Sequence, residues 1–400
     1  MCLVNQRKIE DKKRMAINFI LLMGLISLLG DIVYEGARGI YGPYLASIGF
    51  SAFLVGLVTG AGEFLGYFLR LVSGYIADRT RNYWFLTFIG YSLVLSIPLL
   101  MFANTWKIAA ILIISERLGK GIRTPARDAI LSYATKKVGR GFGFGLHEAM
   151  DQIGAITGPV ILFIILSSGG GFRESFGFLF IPSVFLIVLL LMAMKSYPEP
   201  HKMEIGSTSS QGSSFDSYQA STTSLSGKFW YYTLFSFLAV SGFAGFPIIA
   251  YHLKTISVTD SFILLIYAIA MGVDAIVGLI SGRMYDRTGL KILYSVPLLT
   301  LFIPFSFTGK LELAILGILF WGAVMGMHET VMRAAIADFT GIAKRGTAYG
   351  IFNTVYGLGW LFGSSVIGFL YGSSALLIPV FVVIMEISAL LVLWAGRKKE

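Results

Sequence analysis

Apolar residues run along this chain in stretches of about twenty, separated by short polar segments, and few of the runs alternate residue by residue. The run FGFLFIPSVFLIVLLLMAMK, residues 176–195, shows the pattern. A hydrocarbon core of about 30 Å needs roughly 20 apolar residues at 1.5 Å rise each, so such runs read as membrane-crossing helices. A transmembrane barrel would instead show ten-residue strands of alternating polarity. The pattern predicts about twelve crossings, near 15–41, 51–76, 84–102, 107–133, 140–168, 176–195, 228–252, 259–283, 291–308, 311–338, 345–371 and 375–396.

Composition agrees with that reading. The 400 residues are 56% hydrophobic and 14% charged, with a mean hydropathy of +0.75, which no water-soluble domain of this size tolerates. The basic residues then predict orientation. With a cytoplasmic N-terminus, the inner segments hold Arg7, Lys8, Lys12, Lys13, Arg14, Arg79, Arg81, Lys136, Lys137, Arg140, Lys195, Lys202, Arg287, Lys291, Lys344, Arg345 and Arg397 to Lys399. The outer loops hold Lys107, Arg173, Lys254 and Lys310. This asymmetry places both termini in the cytoplasm of a cell membrane. It also accounts for the net charge of +10 through an anionic inner leaflet, without nucleic acid.

The first apolar run lacks a small-residue cleavage site and reads as a retained helix. Cys2 is the single cysteine, which excludes an internal disulfide and a cysteine metal cluster. From Ser196 to Gly227 the chain turns to Ser, Thr and Gly and cannot bury enough apolar surface to order itself. It reads as a cytoplasmic linker, either a spacer or a phosphorylated loop. The expected organisation is an N-terminal six-helix bundle (1–195), the linker (196–227) and a C-terminal six-helix bundle (228–400).

The two bundles repeat. SGYIADRTR (73–81) matches SGRMYDRTG (281–289), which aligns Asp78 with Asp286 and Arg79 with Arg287. KKVGRGFGFGLHEAM (136–150) matches GIAKRGTAYGIFNTV (341–355), which pairs Arg140 with Arg345, Gly145 with Gly350 and Glu148 with Asn353. Two copies in one membrane orientation are the mark of parallel-repeat transporters.

On these motifs the chain resembles the major facilitator superfamily over essentially its whole length, which implies an all-α fold of two pseudo-symmetric six-helix bundles. The resemblance implies a cytoplasmic gate at Asp78 and Arg79, with Asp286 and Arg287 as a second copy. Arg117 and Gly121 match the RxxxG spacing of proton-coupled members, with Lys120 where glutamine is usual. Gly145, Gly154, Gly158 and Pro159 match the helix-5 pattern of antiporters, although Leu162 and Phe163 replace a further glycine pair. Together these are similar to prokaryotic drug:proton antiporters. The run KGIRTPARDA is also similar to a branch whose substrates are mostly unassigned.

Charged residues inside spans cost about 2.5–3.5 kcal/mol each at the bilayer centre, so they are expected to face a cavity or a partner. The first span carries Asp31, Glu35 and Arg38 on one face and the second Glu63 and Arg70. The fourth carries Glu116, Lys120, Arg123 and Arg127 on one stripe, beside Arg117, Thr124 and Asp128. The fifth pairs His147 with Asp151 and Glu148 with Gln152. The later spans offer Asp274, His328, Glu329, Arg333, Asn353 and Glu386, and an aromatic stripe of Phe352, Tyr356 and Trp360. The stripe reads either as a substrate wall or as a lipid-facing or packing surface.

Protons couple to transport when a carboxylate changes its proton affinity between conformations, and a tenfold change is only about 1.4 kcal/mol. Asp31 is the first candidate, then Glu35, with Arg117 as the switch that acts on them. Glu116, Glu148 and Asp151 follow, and a static ion-pair network is the alternative. Arg38, Glu63, Lys120, Arg123, His147, Gln152, Asp274, His328, Glu329, Asn353, Tyr356 and Trp360 are candidates for the substrate cavity. His147 reads as a proton relay or as a packing histidine. Arg127 and Asp128 either join the gate residues or snorkel and cap a loop.

No P-loop lysine motif or supported catalytic triad is present, so neither ATP use nor soluble catalysis is expected. No cofactor or metal is expected. The reading is a monomeric, proton-driven exporter of small amphipathic or organic compounds. The alternatives are a proton-coupled symporter of an anionic or peptide-like solute, motivated by the helix-4 cations, and a non-transporting membrane sensor.

Overall fold

The structure, a computed structural model, describes residues 2–199, 227–339 and 345–397. Its regular structure among those residues is helical throughout. The helices are α1 (Cys2–Ser47), α2 (Ala52–Thr80), α3 (Tyr83–Ser92), α4 (Trp106–Val138), α5 (Arg140–Ser167), α6 (Phe172–Phe178) and α7 (Phe180–Ser196). They continue with α8 (Gly227–Gly242), α9 (Phe246–Thr255), α10 (Asp260–Thr288), α11 (Ser295–Thr300), α12 (Leu311–Phe339), α13 (Arg345–Ser373) and α14 (Leu377–Arg397). Three helices start at side-chain caps on one face of the molecule, where Ser51, Thr105 and Thr259 accept from the amides of Leu54, Ile108 and Phe262. The other face carries the ends of α2, α4 and α10 and is called the basic face below.

Four expected spans are not single helices. Residues 84–102 run from α3 into 3₁₀ turns at Leu93–Ser96 and Pro98–Phe102. The sixth divides into α6 and α7 and the seventh into α8 and α9, with Gly242 to Gly245 at the second break. The ninth is α11 between 3₁₀ turns at Gly289–Tyr294 and Ile303–Phe307. Pro98, Pro247, Pro297 and Pro304 sit at or beside three of these sites, where each removes a backbone donor; hydropathy alone does not register that. Among the described residues, ten stretches are long and apolar enough to cross a membrane. One of them, Asp260–Phe307, has 48 residues and folds as α10 followed by the short helices, whereas α4 is outside the ten.

Of the expected linker, residues 200–226 lie outside the described residues, as do Lys344, Lys398 and Lys399. The side chains of Lys136, Lys137, Arg140, Arg333 and Arg345 lie outside the description as well, so the Arg140 and Arg345 pairing is not placed.

Packing follows the small residues. α1 lies along α5, α4 and α7, and α2 lies on α4. The first seven helices meet the last seven where α2 runs along α13, α5 along α10 and α1 against α9. The glycines expected on α5 act in the first set. A β-carbon at Gly158 would meet the backbone of Ile32 and stand 3.0 Å from the Gly36 amide nitrogen, and one at Gly154 would stand 3.1 Å from the Asp31 β-carbon. The α1 and α5 backbones are therefore nearly in contact, which carries the α5 polar side chains up to those of α1. Large apolar side chains such as Ile276, Leu279, Ile111 and Leu391 stay on the outer surface, suited to lipid.

Gly158→Leu should therefore destabilise the protein by about 1–3 kcal/mol through overpacking. Gly145→Ala should stay within about 0.5 kcal/mol, since nothing lies within 4 Å of its built β-carbon. Thermal unfolding in detergent measures both, and equal behaviour of the two variants would contradict the packing described.

Candidate functional site

The site is assembled on α4, whose expected span, 107–133, holds more charged residues than any other expected span. Two glycines on α2 bring it into place. A β-carbon at Gly62 would lie 2.9 Å from Arg117 Cγ, and one at Gly66 would lie 3.0 Å from the Arg117 carbonyl oxygen. With no side chain there, the Arg117 stem crosses the α2 backbone and its guanidinium reaches α1. Arg117 donates to the Tyr34 hydroxyl and lies 4.0 Å from that ring's centroid.

From Arg117 a chain of alternating charge runs through three helices. Arg117 pairs with Glu63 of α2 at 3.2 Å and with Glu116 at 3.5 Å. Glu63 also pairs with Arg38 of α1 at 3.7 Å, and Arg38 with Glu35 at 3.6 Å. At the other end Glu116 pairs with Arg123 at 3.5 Å. Three guanidiniums and three carboxylates thus neutralise one another in the protein interior, and each carboxylate touches two cations or, for Glu35, one cation and the Tyr267 hydroxyl of α10, which donates to it. That last bond joins the two sets of helices.

Next to this chain lies a cavity of about 440 Å³. It opens toward the basic face: side-chain exposure falls from 45% at Asp128 to 8% at Glu35. Beyond Glu35 the cavity is closed. A β-carbon at Gly39 would stand 2.8 Å from a Leu264 methyl, and one at Gly42 would stand 2.5 Å from the Tyr251 amide nitrogen, so α1 abuts α10 and α9 there. The walls are mainly charged and hydroxylic, with α10 and α12 contributing Met271, Glu329 and Thr330. A second void between Arg38, Glu63 and Trp360 has room for about one water.

The cavity collects many of the expected residues: Asp31, Glu35, Lys120, Arg123, Arg127, Asp128, Gly145, His147, Glu148, Asp151, Gln152 and Glu329. Others are elsewhere. Arg117, expected to act on Asp31 and Glu35, is engaged by Glu63, Glu116 and Tyr34; the cations facing Asp31 are Lys120 and Arg123. Glu116 is fully buried outside the cavity. Arg38 and Glu63 line the small void. Arg127 turns inward to Ser27 at 3.0 Å, Asp128 at 2.9 Å and Asp151 at 3.8 Å. It makes no pair with the gate residues Asp78 and Arg79, which are exposed like Asp286 and Arg287. With the basic face open, the expected gate is not formed in this conformation.

In the last helices, Asp274 is buried where α10 crosses α12, beside Gly326. His328 bonds the Tyr356 hydroxyl at 2.9 Å and packs on Phe243. Phe352, Tyr356 and Trp360 are buried and pack in ring contacts with Tyr232, Tyr67 and Phe243, so the stripe is neither lipid-facing nor a wall of the large cavity. Trp360 reaches only the small void, and Asn353 lines neither space. Pro159 is buried on α5, next to Gly158, which with Gly154 packs against α1.

Sequence reasoning missed Tyr34 and Tyr267. Tyr34 sits four residues before Arg38 and three after Asp31, a spacing that put it on the charged face; Tyr267 carried no such signal.

The family model described as Major Facilitator Superfamily matches residues 19–364 and 229–400. An uncharacterised protein of Mycobacterium tuberculosis (strain H37Rv) is 37% identical over 388 residues, covering 95% of this chain and 93% of that protein. Among solved structures, the nucleoside transporter NupG superposes with a TM-score of 0.68 at 16% identity, covering 95% of this chain and 98% of that one. A bacterial homologue of the human lysosomal transporter Spinster, in an inward-facing and unoccupied conformation, superposes with a TM-score of 0.69 at 13% identity and 95% coverage of both chains.

Removing Arg117 leaves two buried carboxylates short of a partner. Arg117→Gln should cost about 3–5 kcal/mol, whereas combining it with Glu63→Gln should recover part of that loss. Thermal unfolding of the single and double variants tests the coupling, and strictly additive losses would contradict the network.

Proposed function

The chain belongs to the major facilitator superfamily and is a membrane transporter, not an enzyme; on that premise we propose that it exchanges a small organic solute for protons by alternating access. The observation that carries the reading is the cavity itself, whose carboxylates and cations lie between the two sets of helices, reachable from one face and closed at Glu35 from the other. Counting Asp260–Phe307 as two crossings and adding α4 gives the twelve crossings used here. The positive-inside asymmetry makes the basic face cytoplasmic. On this reading the conformation is inward-open, and residues 1–195 and 228–400 rock as two bundles in the plasma membrane, each protein acting as a monomer.

Asp31 of α1 and Asp151 of α5 are the proposed proton carriers. Each is among the charged neighbours of the other or of Lys120, and Asp151 touches both Arg127 at 3.8 Å and His147 at 3.6 Å. A carboxylate in such a place exchanges a proton for a cation or for solute as its neighbours move. The Tyr267 to Glu35 bond is the proposed latch of the closed end, because opening that end separates α1 from α10. Gate residues Asp78, Arg79, Asp286 and Arg287 would then engage in the outward-open state. The charged wall favours polar solutes over the amphipathic compounds that the motifs suggest.

Lys120 supports a second reading, import of an anionic solute with a proton, since it lines the cavity outside any carboxylate pair. Internal pH in proteoliposomes of uniformly oriented protein separates the two. Solute entry should alkalinise the lumen for exchange and acidify it for symport, and silence with every polar solute moved would contradict proton coupling. Asp31→Asn and Asp151→Asn should lower pH-driven uphill transport by at least about tenfold, the size of losing one charge-assisted contact, while solute counterflow persists. Uphill transport retained by both variants would move the proton elsewhere.

A further inference from the structure

The charges of the large cavity do not all cancel within the protein, and the remainder describes the solute. Arg123 is taken by Glu116 at 3.5 Å. Arg127 is taken by Asp128 at 2.9 Å and Asp151 at 3.8 Å, and Glu35 by Arg38 and Tyr267. Arg70, Glu148 and Glu329 have partners of their own. Two lining groups are left, the Asp31 carboxylate on α1 and the Lys120 ammonium on α4. They are electrostatic neighbours, yet neither forms an ion pair within 4.0 Å. The ammonium of Lys120 rests instead on the face of Tyr34, 4.0 Å from the ring centroid.

Unpartnered buried polar atoms of the cavity lining lie on α5. On the Asp31 side, α5 presents two buried acceptors that lack a hydrogen-bond partner, Asp151 Oδ1 and Gln152 Oε1. Beside them His147, only 3% exposed, has an unpartnered Nε2. The Lys120 side, on α4, presents an ammonium. Buried polar atoms left in that condition cost free energy unless something satisfies them. An amine alone would serve the acceptors of α1 and α5 and leave Lys120; an anion alone would do the reverse.

We infer that the solute is a small zwitterion, its ammonium held by Asp31, Asp151 and Gln152 and its carboxylate or comparable anionic group held by Lys120. This rests on the transport reading above and names the solute class for the same cavity. The volume of about 440 Å³ is within the range of small-molecule sites, and α10 and α12 complete the lining with Met271, Glu329 and Thr330.

The test is ligand protection from thermal unfolding in detergent, using glycine, β-alanine, 4-aminobutyrate and 6-aminohexanoate, each against the n-alkylamine and n-alkanoate of matching length. At least one ω-amino acid should half-saturate at a concentration about tenfold or more below both of its single-charge counterparts. Lys120→Gln should abolish its advantage over the amine, Lys120→Arg should keep it, and Asp31→Asn should abolish its advantage over the alkanoate. Protection by amine alone or alkanoate alone at equal concentration would overturn the inference, as would no protection by any ω-amino acid. Proteoliposome pH recordings keep the two ideas apart. Proton movement driven only by non-zwitterionic solutes defeats the inference and leaves the transporter reading intact, while zwitterion binding without proton movement defeats proton coupling and leaves the inference standing.

Discussion

The alternating chain from Glu35 through Arg38, Glu63, Arg117 and Glu116 to Arg123 is the interaction on which the rest of the structure depends. Charges at this depth are stabilised by company, because removing one partner strands another in a poorly hydrated place. The chain ties α1, α2 and α4 together at one level and occupies three of the cations that sequence alone would offer to a substrate. Among the charged groups that line the cavity, those left outside any ion pair are Asp31 and Lys120, joined by the unpartnered oxygens of Asp151 and Gln152 on α5.

Access to that subset is decided by backbone proximity. Gly154 and Gly158 bring α5 onto α1, while Gly39 and Gly42 bring α1 onto α10 and α9 past Glu35. The first contact builds the cavity and the second closes it. The hydroxyl of Tyr267 reaches Glu35 at the boundary, so the closed end and the charge chain share one residue. A change at the cavity that alters Glu35 is felt at the interface between the two sets of helices, which is the coupling an alternating-access cycle requires.

Much of this was legible in the sequence. Apolar runs marked where the long helices lie, and helical spacing placed Asp31, Glu35, His147 and Asp151 on faces that do converge. Three features were not legible, each for a physical reason. The spans near 84–102 and 291–308 break into short turns because proline acts on the backbone without lowering hydropathy. Arg117 serves Glu63 and not Asp31 because its path depends on the bare backbone of Gly62 on another helix, a contact that no single-helix pattern contains. The aromatic stripe of Phe352, Tyr356 and Trp360 had the spacing of a face, but what it faced, Tyr232, Tyr67 and Phe243, depends on how α13 sits among α2 and α8.

The central claim is that one cavity is offered alternately to the two sides of the membrane. Spin-label distances measure this directly, with Cys2→Ser as background and label pairs at Ser47 with Thr255 on the closed end and Phe142 with Met284 on the basic face. Changing pH or adding a transported solute should create a second population in which the first pair is farther apart and the second pair closer, the two changes rising together. Single, fixed distances for both pairs under every condition would contradict the account.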